Sequence, residues 1–343
     1  MHQDTMEKIT HNLGDASTVK VNIPIIVTLR GLAALMVCAY HFVCTTTDYI
    51  SSPWVLDSFY YGKKGVQVFF IISGIVIPLS MIHWNYRLPQ FFRFMLKRFI
   101  RIEPPYFASV VLGLVYLYLG SQLGGSKGTE LIPSFRDVVL HLGYLIPFVE
   151  GAKWINEVYW TLFIEFQYYI ILALTFPLAT SRNAFGRIAF MLLFLFPPLL
   201  FESKNFFTCW SSFFLIGIGY AFWITRKWTV YEFVIAAVSA TLVSLYRLPV
   251  VDVVFGLATL AIISFFGNMR FKWGDFLGNI SYSLYLIHSF IGGAFVNFMS
   301  HHFRQPFEKF IVILCGIVIS LISAYVFYRI IEKPAQNWSR KIV

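Results

Sequence analysis

Apolar residues in this 343-residue chain fall into long runs separated by short polar connections. Ten such runs stand out, at 24–44, 65–82, 104–120, 157–178, 184–200, 206–223, 230–246, 250–267, 276–297 and 309–331. Each is close to the ~20 residues a helix needs to cross the hydrocarbon core of a bilayer. A membrane β-barrel would instead show alternating segments of about ten residues. The pattern predicts an all-α polytopic integral membrane protein with about ten transmembrane helices. The mostly polar stretch 1–23 precedes the first run, which lacks a clear small-x-small cleavage site and so reads as a span, not a signal peptide. The expected organisation is a tail at 1–23, a single transmembrane domain at 24–331 and a tail at 332–343. The short segment 137–149 reads as a re-entrant or interfacial helix. It lies in the longest outer loop, 121–156, which carries Gly124-Gly125-Ser126-Lys127-Gly128.

Composition narrows the class. Hydrophobic residues make up 58% and charged residues 13%, against about 45–50% and 25% in soluble domains. That excludes a water-soluble globule, and the high hydrophobicity excludes disorder. The net charge of +10 raises nucleic acid as a partner. Its distribution argues otherwise, because lysine and arginine lie in the connections and form no single patch. With the N-terminus cytoplasmic, 17 fall inside and 9 outside, and Arg30 lies within the first span. This is the positive-inside bias. Ten spans then place both termini in the cytoplasm, and no nucleic-acid partner is expected. Cys38, Cys44, Cys209 and Cys315 show no metal or redox spacing and read as buried thiols. Cys44 and Cys209 would both lie near the outer face, which leaves one disulfide conceivable. No P-loop, Gly-x-Gly-x-x-Gly or His-Glu-x-x-His occurs, so neither ATP-driven transport nor a metal centre has a motif behind it.

Ionisable groups inside spans are costly and are the first functional candidates. Arg30 and His41 are eleven positions apart on the first span, on one face and separated by about 16 Å along the axis. Two such groups do not touch one reacting atom. His41 is either packed near the interface or a proton-transfer group. Arg30 either snorkels to the headgroups or serves function. Glu165, expected at a depth between them, is paired with a cation or protonated. His288 reads as interhelical hydrogen-bonding glue, and Asp252 as a solvated edge residue. Arg98 and Arg101, in the basic cytoplasmic connection 83–103, share a helix face. That suits phosphate as well as an ordinary inner anchor.

Six stretches in order over residues 24–338 resemble the membrane-bound acyltransferase-3 family, of the sugar O-acyltransferase type. They are Arg30 to His41, Gly65 to Gly74, Arg98 to Tyr106, Trp160 to Glu165, Leu277 to His288, and Glu332-Lys333-Pro334. Gln67 stands where the family often has aspartate, and Ile75 where phenylalanine is common. The resemblance implies transfer of an acyl group, acetyl foremost, from cytoplasmic acyl-CoA to a hydroxyl of a glycan, glycolipid or glycosylated product. It implies His41 and Glu165 as catalytic residues, with Glu165 orienting His41 or balancing charge. Arg98 and Arg101 would bind CoA phosphates, Arg30 the donor or Glu165, and Ser73 is a candidate oxyanion stabiliser. Acyl-CoA, a carbohydrate acceptor and membrane lipid are the implied partners, with a homo-oligomer compatible, in a bacterial cytoplasmic (inner) membrane. The alternative is a proton-coupled secondary transporter or flippase of glycolipids or small molecules. Such proteins often carry internal repeats, and none is visible here.

Overall fold

A computed structural model describes residues 21–46, 48–122 and 133–342. The tract Gly124–Gly128 and most of the expected tail at 1–23 lie outside the described residues. Every regular element among those described is helical. In order they are α1 (Ile25–Cys44), α2 (Pro53–Tyr60), α3 (Gly65–His83), α4 (Phe91–Gln122), α5 (Phe135–Leu142), α6 (Trp160–Ala179) and α7 (Ala184–Leu195). There follow α8 (Phe207–Ile224), α9 (Val230–Arg247), α10 (Val250–Phe266), α11 (Lys272–Ile287), α12 (Ala294–Met299), α13 (Pro306–Phe327) and α14 (Lys333–Arg340).

Among the described residues seven helical stretches are long and apolar enough to cross a membrane; shorter apolar helices cover the runs 184–200 and 250–267, and the run 276–297 is divided between α11 and the helical stretch Ser289–Met299. The chain is a polytopic membrane protein. Its lipid-facing surface explains the excess of exposed apolar side chains, with Phe265 81% and Leu242 63% exposed. The expected run 184–200 breaks at Pro197, after which only one helical turn remains. α5 has eight residues, about 12 Å, and does not cross. Its start is fixed by a capping box in which Ser134 and Asp137 satisfy each other's backbone N–H groups.

The stretch 83–103 departs from its reading as a connection. Arg98 and Arg101 lie on α4, one helix of 32 residues that runs through Pro104 and Pro105. Two adjacent prolines signal a helix start, but α4 begins thirteen residues earlier. The basic residues are therefore held on a rigid helix.

The centre is built around α1, which packs along α11, while α8 crosses α3. Small residues make the first contact close. A Cβ on Gly31 would lie 2.6 Å from Leu277 Cβ and 2.7 Å from the Gly278 nitrogen. Helix backbones approach this closely only over glycine.

The four cysteines are free, so the Cys44–Cys209 disulfide does not form. Cys44 instead donates to the Leu56 carbonyl at 3.6 Å, while Cys209 is buried on α8.

Candidate active site

Two cavities lie back to back in the bundle. The first, about 130 Å³, is lined by Arg30 of α1, Ser73 of α3, Arg98 and Arg101 of α4, Glu165 and Tyr169 of α6, Tyr282 of α11, and Glu332. Among the described residues the ion pairs are Lys64–Asp252, Arg187–Glu232, Arg247–Glu202 and Arg270–Asp275. None of the three cavity arginines is in this set. Arg98 lies over the rings of Phe94 and Tyr169, at 5.5 and 5.6 Å. Arg101 keeps solvent contact.

The two carboxylates of this cavity are occupied by neutral donors. Ser73 Oγ donates to Glu165 Oε1 at 2.9 Å, and Tyr169 donates its hydroxyl to the same oxygen at 2.5 Å. Glu332 is 2% exposed. Its Oε2 accepts from the Ser283 hydroxyl at 2.5 Å and the Ser283 N–H at 3.1 Å, and its Oε1 accepts from Gln336 at 2.8 Å. The acids take hydroxyl and amide donors and leave the guanidinium groups without a counter-ion in contact. Three unpaired guanidinium groups converging on one space favour a polyanion such as phosphate.

The second cavity, about 620 Å³, is lined by Tyr40 and His41 of α1, Tyr60, Lys63, Lys64, Gln67, Trp154, Glu157, Trp160, Lys204, Trp210 and Asp252. Lys63 Nζ sits 3.4 Å from the Tyr60 ring centre. The Trp160 and Trp210 rings are 5.7 Å apart. Gln67 Oε1 is buried without a partner. Asp252, expected at a solvated edge, is 4% exposed and forms a buried ion pair with Lys64. The correction has a tertiary cause. Lys64 ends a short 3₁₀ segment and reaches α10 from 188 positions away.

Val66 and Tyr285 line both cavities and form the partition between them. Tyr285 is held there by a 2.8 Å hydrogen bond with Thr161. The structure thus groups Arg30, Arg98, Arg101, Ser73 and Glu165, and sets His41 apart from them on the other side of the partition. It does not bring Glu165 to His41. The Glu165 contacts are Ser73 and Tyr169, and the Ser73 hydroxyl proton is directed at Glu165. The His41 ring makes no hydrogen bond among the described residues; the rings beside it include its neighbour Tyr40, with centres 5.1 Å apart, and His288 from across the helix contact, at 5.2 Å.

Sequence reasoning did not place Glu332 or Tyr169 in the site, and marked Gln67 only as a departure from the family's aspartate. Glu332 carried a signal, as a carboxylate closing an apolar run. Tyr169 carried none beyond its place one turn after Glu165. No group of three His, Cys, Asp or Glu side chains suited to a metal occurs among the described residues.

A family model for an acyltransferase domain matches residues 24–329. No curated protein and no solved structure matches the chain.

Proposed function

The chain belongs to the acyltransferase-3 family, and from that premise we propose that it moves an acyl group, acetyl foremost, from cytoplasmic acyl-CoA to a carbohydrate hydroxyl presented on the other side of the membrane. The observation that carries the reading is the pair of abutting cavities, one with three guanidinium groups free of ion pairs and one with His41. CoA phosphates are the polyanion for the first. Its pantetheine arm then runs beside α1 toward the partition at Val66 and Tyr285, and the thioester meets His41 beyond it. The eleven residues from Arg30 to His41 cover about 16 Å, a separation that an extended arm bridges.

The second cavity suits a sugar. Trp154, Trp160, Trp210 and Tyr60 offer flat apolar faces, and Gln67 and Lys63 supply a few placed polar groups. That mixture holds a ring with apolar faces and a hydroxyl rim. The positive-inside bias supports a cytoplasmic arginine cavity and an outer histidine cavity, and the proposed location is a bacterial inner membrane.

In the proposed step the acceptor hydroxyl loses its proton to a His41 ring nitrogen as its oxygen attacks the thioester carbonyl. The new C–O bond forms, the C–S bond breaks, and the proton passes from His41 to the departing CoA thiolate. General-base assistance of this kind is worth about 10²–10⁴-fold. Glu165 sits on the donor side and acts there, keeping Ser73 and Tyr169 in place around the phosphates.

Steady-state kinetics on the purified protein in nanodiscs separate the roles. Arg101→Ala should raise KM for acetyl-CoA about 10-fold or more with kcat little changed. His41→Ala should reduce kcat at least about 10²-fold. A pure loss of kcat in Arg101→Ala, or near-normal turnover in His41→Ala, would overturn the assignment.

A further inference from the structure

His288, at the junction between α11 and the π-helical turn Ser289–Gly293, is a buried titratable side chain beside His41 that the reaction scheme has not used. It is fully buried. Its Nδ1 faces two carbonyl oxygens, Leu284 at 3.0 Å and Tyr285 at 2.9 Å. A carbonyl only accepts, so Nδ1 carries the proton and Nε2 is left with a lone pair. That Nε2 is buried without a hydrogen-bond partner. An orphaned acceptor at such depth is costly and calls for an explanation. Of the rings around it, His41 is nearest at 5.2 Å, before Phe42 at 6.3 Å and Tyr285 at 6.4 Å.

The backbone is shaped to hold this arrangement. Gly293 donates to the His288 carbonyl at 2.8 Å, an i+5 bond that widens the helix just past the ring. Such π turns recur at functional sites. A Cβ on Gly292 would lie 2.6 Å from Phe42 Cζ, so glycine there lets α1 close onto this turn one residue beyond His41.

We propose that His288 is the positioning partner of His41, its Nε2 accepting a hydrogen bond from the His41 ring N–H during transfer, in the place a carboxylate takes in a serine-hydrolase triad. The inference rests on the acyl-transfer reading above. The Leu284 and Tyr285 carbonyls fix the His288 tautomer, and His288 in turn fixes that of His41. When His41 takes the acceptor proton, the imidazolium shares its second N–H with His288 Nε2. The proton then leaves from the first nitrogen to the CoA thiolate, and His288 ends unchanged. Glu157 and the Lys64-paired Asp252 are the carboxylates on the His41 cavity. Glu157 is the competing candidate for this role.

The test compares two amides. Asparagine at 288 keeps an N–H near Nδ1 and the tie to the carbonyls, but does not reach the Nε2 position. Glutamine places an oxygen acceptor there. CoA release from acetyl-CoA is followed with protein in nanodiscs made from cell-envelope lipid. His288→Asn should lower kcat about 10²-fold with KM for acetyl-CoA unchanged, and His288→Gln should recover 10-fold or more of that loss. Should His288→Asn not fold, His288→Gln against His288→Met makes the same comparison, because methionine fills the space without the acceptor. Equal kcat in the variants with and without the acceptor would overturn the proposal, as would Glu157→Gln reproducing the loss while His288→Asn retains turnover. A wild-type protein that releases no CoA would refute the acyl-CoA reading itself, and this inference with it.

Discussion

Arg30 and His41 show how far single residues could be read. Their eleven-residue spacing put them on one face of one helix at different depths, and they line two different cavities. Glu165 was legible as a site candidate because an acid inside an apolar run is costly, and it is half-buried on the first cavity. Its contacts were not, since Ser73 comes from α3, 92 positions away. Asp252 was misread for the same reason, as no local pattern announces Lys64. That pair carries its own test. Removing one partner of a buried ion pair costs about 3–5 kcal/mol, whereas replacing both with apolar residues is often neutral. Asp252→Ala should therefore lower the thermal midpoint in detergent strongly, and Lys64→Met with Asp252→Leu should return most of it. A single variant as stable as the wild type would show the pair to be unimportant.

At the scale of elements, apolar run length told most of the story. Every expected span is helical, because a buried backbone in lipid must satisfy its own hydrogen bonds. Breaks and junctions were harder. Proline at 104 and 105 looked like a start, yet tertiary packing carries α4 through both. The contact of α1 with α11 rests on Gly31, where any Cβ would overlap Leu277. Gly31→Val should cost about 1–3 kcal/mol, seen as a lower thermal midpoint, and an unchanged midpoint would contradict the close contact.

Segment α5 offers a pH test outside the spans. His141 donates from Nδ1 to the Asp137 carbonyl at 2.7 Å and accepts at Nε2 from the Ile155 N–H at 3.2 Å. The second bond needs the neutral ring, because a protonated Nε2 cannot accept. Burial pushes its pKa below the ordinary histidine value. A lowered folded-state pKa means the contribution is present above about pH 6.5 and lost as pH falls. Limited proteolysis of the segment around residues 135–159 should accordingly be faster at pH 5 than at pH 7.5. The difference should shrink in His141→Gln, and identical rates at both pH values would argue against a structural neutral histidine.

Over the whole molecule, charged residues make up 13% of the chain, and several of the described ones gather in ion pairs and two cavities. The family was legible from six motifs in order. The partition between the cavities was not, because Val66 and Tyr285 come together only when α3 and α11 pack. The central claim is that donor and acceptor meet across this partition from opposite sides of the membrane. CoA does not cross bilayers, so sidedness is measurable. Vesicles are prepared with the cytoplasmic face either outward or inward, and labelled acetyl-CoA is added outside. Hydroxylamine-labile label is then counted in the envelope glycolipid and glycan fraction. The expected result is incorporation only with the cytoplasmic face outward, and its loss in His41→Ala. Equal or greater incorporation with that face inward would contradict the account.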